Sequence, residues 1–302
     1  MKIGVVINHA QDPESGYDPT YSQLRAMAQA ADAGGVDSIW TYDHLLFRFD
    51  SPDTVGIWEC WTILCALAEA TENVELGTIV LANPFRNPAL VAKMAHTLDE
   101  VSGGRLILGV GAGWHKPEFD AFGYSFERRV DRFEEALHIL GPLLKGERVD
   151  FSGDHYQVEN CVITPPGPRA AGIPLLIGAR QPRMLRLVAR HADQWNTAWL
   201  GQPHELTERL EWIHVACADM GRDPQTLEIT VGVQLIFPDL GQTGKMTKEP
   251  LSGPPEALAY AFHAYAEAGA DHLILATEPS GLASIERAAE AVRIYKRSLG
   301  IL

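Results

Sequence analysis

The sequence predicts an α/β fold, a (β/α)8 barrel with one insertion, and three observations carry that expectation. Short apolar runs alternate with longer segments of helical period, the pattern of a parallel sheet covered by helices. Eight such strand–helix pairs fit within 302 residues, which suits one barrel and a single domain over residues 1–302. The first apolar run is followed by Asn8-His9-Ala10-Gln11-Asp12, without the glycine-rich turn that opens an open dinucleotide-binding sheet.

Each element has its own signal. Lys2 to Asn8 reads as a buried first strand, and Asp18-Pro19 sets a helix start with Asp as N-cap and Pro at the first helical position. Tyr21, Leu24, Ala28 and Ala31 stripe that helix, and Gly34-Gly35 ends it. Ser38 to Tyr42 is the second strand, Val74 to Ala82 the third and Arg105 to Gly111 the fourth, separated by helices striped by Trp61, Leu64 and Ala68 and by Val91, Met94 and Leu98. Ser125 caps a long helix through Phe126, Val130, Phe133, Leu137, Leu140 and Leu144. Residues 146–173 break the rhythm with Gly, Pro and two short β-like pieces, and read as an insertion before the fifth strand, Pro174 to Ala179. Gln194 to Ala198, Leu227 to Phe237 and His272 to Thr277 complete the eight, with a polar loop at Pro238 to Gly253 and a last helix from about Ser280 to Leu299.

Composition narrows the function. The net charge of −14 argues against nucleic acid and anionic membrane surfaces as partners, because both need a basic face. Cys60, Cys65, Cys161 and Cys217 form no C-x-x-C pair and read as reduced core thiols of a cytoplasmic protein. The apolar run after Lys2 is too short for a signal-peptide core, and no run approaches the roughly 20 residues of a membrane span.

A barrel of this class presents its site at the C-terminal strand ends. Those ends deliver Asn8 and His9, Asp43 and His44, Val80 to Asn83, Gly111 to Trp114, Gly178 to Arg180, Thr197 and Trp199, Gln234 and Phe237, and Thr277. The mouth is apolar and aromatic, with no strand-end lysine for Schiff-base chemistry and no His–carboxylate cluster for a catalytic metal, so no metal is expected. It suits a flat ligand that brings its own reactivity. Asp43-His44 is the sharpest polar pair: His44 can move a proton near neutral pH and Asp43 can hold its ring, although a capping role for the pair is equally open. Gly109, Gly111 and Gly113 alternate, which lets a ring come close or relieves crowding in the barrel. Gly178-Ala179-Arg180 leads into a helix start at Pro182 and makes a phosphate cradle from free amides and a guanidinium. Trp58, Trp61 and Trp195 read as core.

These segments together resemble the bacterial luciferase-like family of flavin- and deazaflavin-dependent oxidoreductases over essentially the whole chain. The strongest pieces are SIWTYDHLL from Ser38, the long run from Leu76 to Trp114, and IPLLIGARQPRMLRLVARHADQWN from Ile173. The resemblance implies a barrel that binds coenzyme F420 or FMN at its C-terminal mouth, in a dimer. It places His44 beside the reactive carbon with Asp43 next to it, as in F420-dependent members. It places a non-proline cis peptide in the third-strand bulge Ile79-Val80-Leu81, at Val80–Leu81 by preference, so that the bulge with Val80, Leu81 and Ala82 presses on the ring. Gly111, Gly113, Gly178, Ala179 and Arg180 fall on the phosphate side, with Arg183 and Arg186 as a basic track. One departure stands out. Sugar-phosphate dehydrogenases of the family carry an acid where this chain has Trp114; Glu118 is the nearest carboxylate, and Trp114 instead walls an apolar substrate space.

The sequence therefore points to hydride transfer between F420 and a small, apolar organic substrate. The alternative is an FMN monooxygenase that uses reduced flavin and O2, supplied by a partner reductase. A non-catalytic flavin-binding protein and a metal hydrolase on the same barrel are the readings from other classes.

Overall fold

The computed structural model describes residues 1–49, 53–244 and 246–301. Eight parallel strands close on themselves: Lys2–Val6, Ser38–Thr41, Glu75–Thr78 with its continuation Leu81–Ala82, Leu106–Gly111, Leu175–Gly178, Gln194–Leu200, Glu228–Ile236 and His272–Glu278. The first strand pairs with the eighth, Lys2 opposite His272, and this closes the barrel that the alternating pattern predicts.

Two apolar layers hold it. The larger lies between strands and helices, where Ile3, Leu24, Leu64, Leu108, Phe133 and Trp195 are buried. The smaller fills the barrel with Val6, Trp40, Ile79, Ile107, Leu176 and Ile274. Trp40 is admitted because Gly77 faces it; a Cβ there would come within 2.2 Å of the indole ring. Its Nε1–H donates to Ser38 Oγ at 2.7 Å, and Ser38 Oγ lies 2.7 Å from His272 Nε2. Burial lowers the His272 pKa to about 3, so a neutral ring shares this hydrogen bond with the hydroxyl.

Several boundaries differ from the sequence expectation. The first helix is Tyr21–Ala33, capped by Thr20 and not Asp18, because Thr20 and Gln23 form a reciprocal capping box. The long helix is Arg129–Leu144 and does not begin at Ser125; Arg128 sits at φ 53°, and a separate helix, Lys116–Phe122, precedes it and ends at Gly123 with φ 76°. Phe126 therefore belongs to a loop, where it packs edge-on to Phe119 at 5.1 Å. Trp61 and Trp195 are buried as expected, whereas Trp58 is 52% exposed.

The segment 146–173 forms an antiparallel hairpin, Val149–Ser152 with Gln157–Cys161, separate from the barrel sheet. Glu135 anchors it by accepting from the backbone N–H of Asp154, His155 and Tyr156 at 2.9, 2.8 and 3.1 Å. The polar loop after the seventh strand returns through Leu251–Ser252, which pairs with that strand. The third strand breaks at a cis peptide, Ile79–Val80, within the bulge that the resemblance named and one bond before the preferred Val80–Leu81. Pairing sets that place: Ile79 N–H still donates to Thr41 O at 2.7 Å, and Leu81 and Ala82 resume opposite Val110 and Gly111. A second non-proline cis peptide joins Ala198 to Trp199. Among the described residues no helix is long and apolar enough to cross a membrane.

The end of the barrel away from the strand C-termini is pinned by Arg105. Its five guanidinium N–H groups reach Ser102 O at 2.7 Å, Thr71 Oγ1 at 3.1 Å, Val74 O at 2.8 Å, Ala68 O at 2.8 Å and Thr71 O at 2.9 Å. An ammonium cannot copy that planar fork. Arg105→Lys is expected to cost about 2 kcal/mol, measured by denaturant unfolding, at roughly 1 kcal/mol per hydrogen bond lost.

Candidate active site

The C-terminal strand ends ring two adjoining cavities. The larger, about 710 Å3, is lined by Asp43, His44, Val80, Ala82, Gly111, Gly113, Trp114, Gly178, Ala179 and Arg180, which the sequence singled out. Leu81 is the exception: it is fully buried in the layer between barrel and helices and does not line the cavity. Side chains alternate along a strand, so Val80 and Ala82 face the mouth while Leu81 between them turns outward. Sequence reasoning did not assign Glu118, Arg129, Met184 or Asn196 to this cavity. The smaller cavity, about 440 Å3, is walled by Tyr42, Phe47 and Phe49 and also takes in Asn8, Glu278 and Ser280. His44, Ile79, Trp114 and Trp199 line both.

The floor of the larger cavity is the interrupted third strand. Val80 lies directly over two glycines: a Cβ at Gly111 would come within 2.7 Å of Val80 Cγ2, and one at Gly178 within 3.1 Å of Cγ1. At one end stand Arg129, Arg180 and Arg183. Arg183 is paired with Asp131 at 2.6 Å and Glu134 at 2.8 Å, and Arg129 donates to Gly113 O at 3.1 Å. Arg180 has no carboxylate partner among the described residues and lies 5.9 Å from the Trp212 ring. Beside it, the helix Pro182–His191 starts from Gln181 without a side-chain cap, which leaves its first N–H groups for an anion. A flat apolar floor that ends in a guanidinium and open amides fits a ring system with a phosphate tail.

His44 sits where the cavities meet. Its Nδ1 lies 2.9 Å from Glu118 Oε1, and Glu118 Oε2 accepts from the Leu45 N–H at 2.8 Å. Glu118 is buried, with 1% of its side chain exposed. Glu118 thus holds the ring through Nδ1, and Nε2 is the nitrogen left to exchange a proton with a bound group. Nε2 has no partner among the described residues. The ring is fixed by Phe47 at 4.5 Å and by Trp114, edge-on at 5.5 Å.

Asp43 does something else. Its Oδ2 accepts from the Ala82 N–H at 2.8 Å and from Arg86 at 2.6 Å, and its Oδ1 from Arg86 at 3.1 Å. The ring-holding role that the sequence offered to Asp43 is taken by Glu118, because Arg86 and Ala82 occupy both Asp43 oxygens. Burial pushes the Asp43 carboxyl up, and the Arg86 guanidinium opposes it. Burial works against the Arg86 charge, but Asp43 and Glu59 outweigh it and raise its pKa. Glu59 also accepts from Arg86, at 2.5 Å, and caps the helix Cys60–Ala70. Among the described residues, no group of three or more His, Cys, Asp or Glu side chains could hold a metal ion.

Asp43→Asn would leave Arg86 buried with one weakened partner. The expected loss is about 3 kcal/mol of stability, the lower end for breaking a buried ion pair while Glu59 remains. A thermal melt with an unchanged midpoint would contradict the clamp.

The described family model for luciferase-like monooxygenases matches residues 1–240. Among curated proteins, a phthiodiolone/phenolphthiodiolone dimycocerosates ketoreductase of Mycobacterium kansasii is 33% identical over 221 residues, covering 67% of this chain and 60% of the relative. This chain thus spans well under two thirds of that relative's length. Among solved structures, an F420-dependent secondary alcohol dehydrogenase in complex with an F420-acetone adduct superposes with a TM-score of 0.77 at 20% identity, covering 97% of this chain and 98% of that one. A riboflavin lyase with modified FMN and riboflavin gives 0.81 at 16% identity, covering 99% and 92%. At such identities these two structures show a common barrel. The family match over four fifths of the sequence shows more: the chain belongs to the luciferase-like monooxygenase family, a family of oxidoreductases.

Proposed function

We propose that this enzyme transfers a hydride between coenzyme F420, held in the larger cavity, and a small organic carbonyl or alcohol held in the smaller one. The observation that carries this reading is His44 at the junction, bound to Glu118 through Nδ1 and open at Nε2. A carbonyl that gains a hydride at carbon must gain a proton at oxygen, and the reverse reaction must lose one. A ring fixed on one nitrogen and open on the other serves that exchange. The named activities of a ketoreductase and a secondary alcohol dehydrogenase among the similar proteins support the substrate class.

The bound deazaflavin would donate or accept the hydride. Val80, Ala82, Gly111 and Gly178 would support its ring, and Gly113, Ala179 and Arg180 its phosphate side. Trp114 and Trp199 would separate the reacting centre from water. Glu118 would act as a positioning residue through His44, and Asp43 through the third-strand floor. A reductase that supplies reduced cofactor and a homodimeric assembly in the cytoplasm belong to the same reading.

Variants test it. His44→Ala should keep F420 affinity within about twofold while kcat for a converted alcohol falls by about a hundredfold or more, the usual contribution of a positioned acid–base. Glu118→Gln keeps an acceptor for Nδ1 and should retain more turnover than Glu118→Ala. Turnover by His44→Ala at the parent rate would remove His44 from the reaction.

A further inference from the structure

We infer that the smaller cavity takes a substrate carrying a protonated amine set apart from its reacting carbon, with the Glu278 carboxylate as the counter-charge. The inference rests on reading that cavity as the substrate space. Glu278 ends the eighth strand and lines the smaller cavity but not the larger. Its carboxylate has no hydrogen bond or ion pair among the described residues. The Asn8 amide beside it is already engaged. Asn8 Nδ2 donates to Ser280 Oγ at 2.6 Å, and Asn8 Oδ1 accepts from the Ala10 N–H at 3.0 Å and from Tyr42.

Among the described residues no cation compensates the charge. No Lys or Arg lines this cavity among the described residues. The titratable groups near Glu278 are Asp12, Tyr17 and Tyr42, with His44 on the shared wall. Burial, with Asp12 adding to it, pushes the Glu278 pKa up to about 7. Tyr42, Phe47, Trp114 and Trp199 give the cavity aromatic walls, beside the aliphatic Val6, Ile79 and Ala276. Aromatic faces attract cations, and a lone carboxylate among them lacks the one group that would offset its desolvation. An ammonium answers both: it supplies the opposite charge and it meets the aromatic faces. His44 marks the reacting end because it lines both cavities. Glu278 lines only one, so the cation lies away from the hydride path.

Calorimetric titration of the purified chain with 4-phenylbutylamine and with the isosteric 4-phenylbutanol tests this. At pH 8 the amine should bind about tenfold tighter or more, the scale of one charge-assisted contact with an aromatic cage. The preference should narrow at pH 6. Glu278 takes up a proton through pH 7, while an alkylamine with a pKa of about 10 stays charged. Glu278→Gln should bind both probes alike and should keep the parent's cofactor affinity. Equal affinities in the parent chain, no binding of either probe, or a preference that survives in Glu278→Gln overturns the inference. The wild-type comparison needs no variant to fold. A parallel F420 titration keeps the readings apart: an amine preference without F420 binding supports this inference while removing the cofactor reading.

Discussion

Where the second strand ends, one buried carboxylate ties three elements into a unit. Asp43 accepts from the Ala82 N–H and from both terminal nitrogens of Arg86, and Arg86 reaches on to Glu59 at the cap of the next helix. The third strand is broken at Ile79–Val80 and regains its pairing only at Leu81 and Ala82. The Asp43 contact at Ala82 therefore fixes the point from which Val80 is presented over Gly111 and Gly178. A hydrogen-bonded ion pair inside a low-dielectric site is strong when complete and costly when broken, which makes it a rigid reference for whatever lies next in the chain. His44 lies next in the chain.

Two carboxylates thus divide the work around one histidine. Asp43 fixes the backbone, and Glu118 fixes the ring. Glu118 comes from a short helix after the fourth strand, across the mouth from His44, and it holds both the imidazole Nδ1 and the Leu45 N–H. The loop and the ring cannot drift apart, because one side chain binds both. The open nitrogen is left at the wall that the two cavities share. One cavity offers a glycine floor and an arginine end; the other offers aromatic walls and a lone carboxylate.

The barrel was legible because periodicity reports burial, and the strand ends follow once the strands are counted. That reasoning brought His44, Val80, Gly111, Gly178 and Arg180 to one cavity. It failed on Leu81 through simple alternation along a strand. It also left Glu118 without a role, since the contact with His44 spans 74 residues and depends on a helix that opens at Lys116-Pro117 and closes at Gly123. The stripe from Phe126 masked that helix by extending the long one backwards. The signal available was local: a Pro, an acid and a Gly spaced as a helix start and stop. Glu278 lies one residue beyond the apolar run of the eighth strand, and only the closed barrel shows that it faces aromatic rings.

A side-by-side anaerobic titration of the purified chain with F420 and FMN, followed by fluorescence, tests the central claim most directly. The account predicts saturable binding of F420 with FMN left unbound. Tight binding of FMN with F420 ignored would contradict it, and would move the chemistry to reduced flavin and O2 with a reductase as partner.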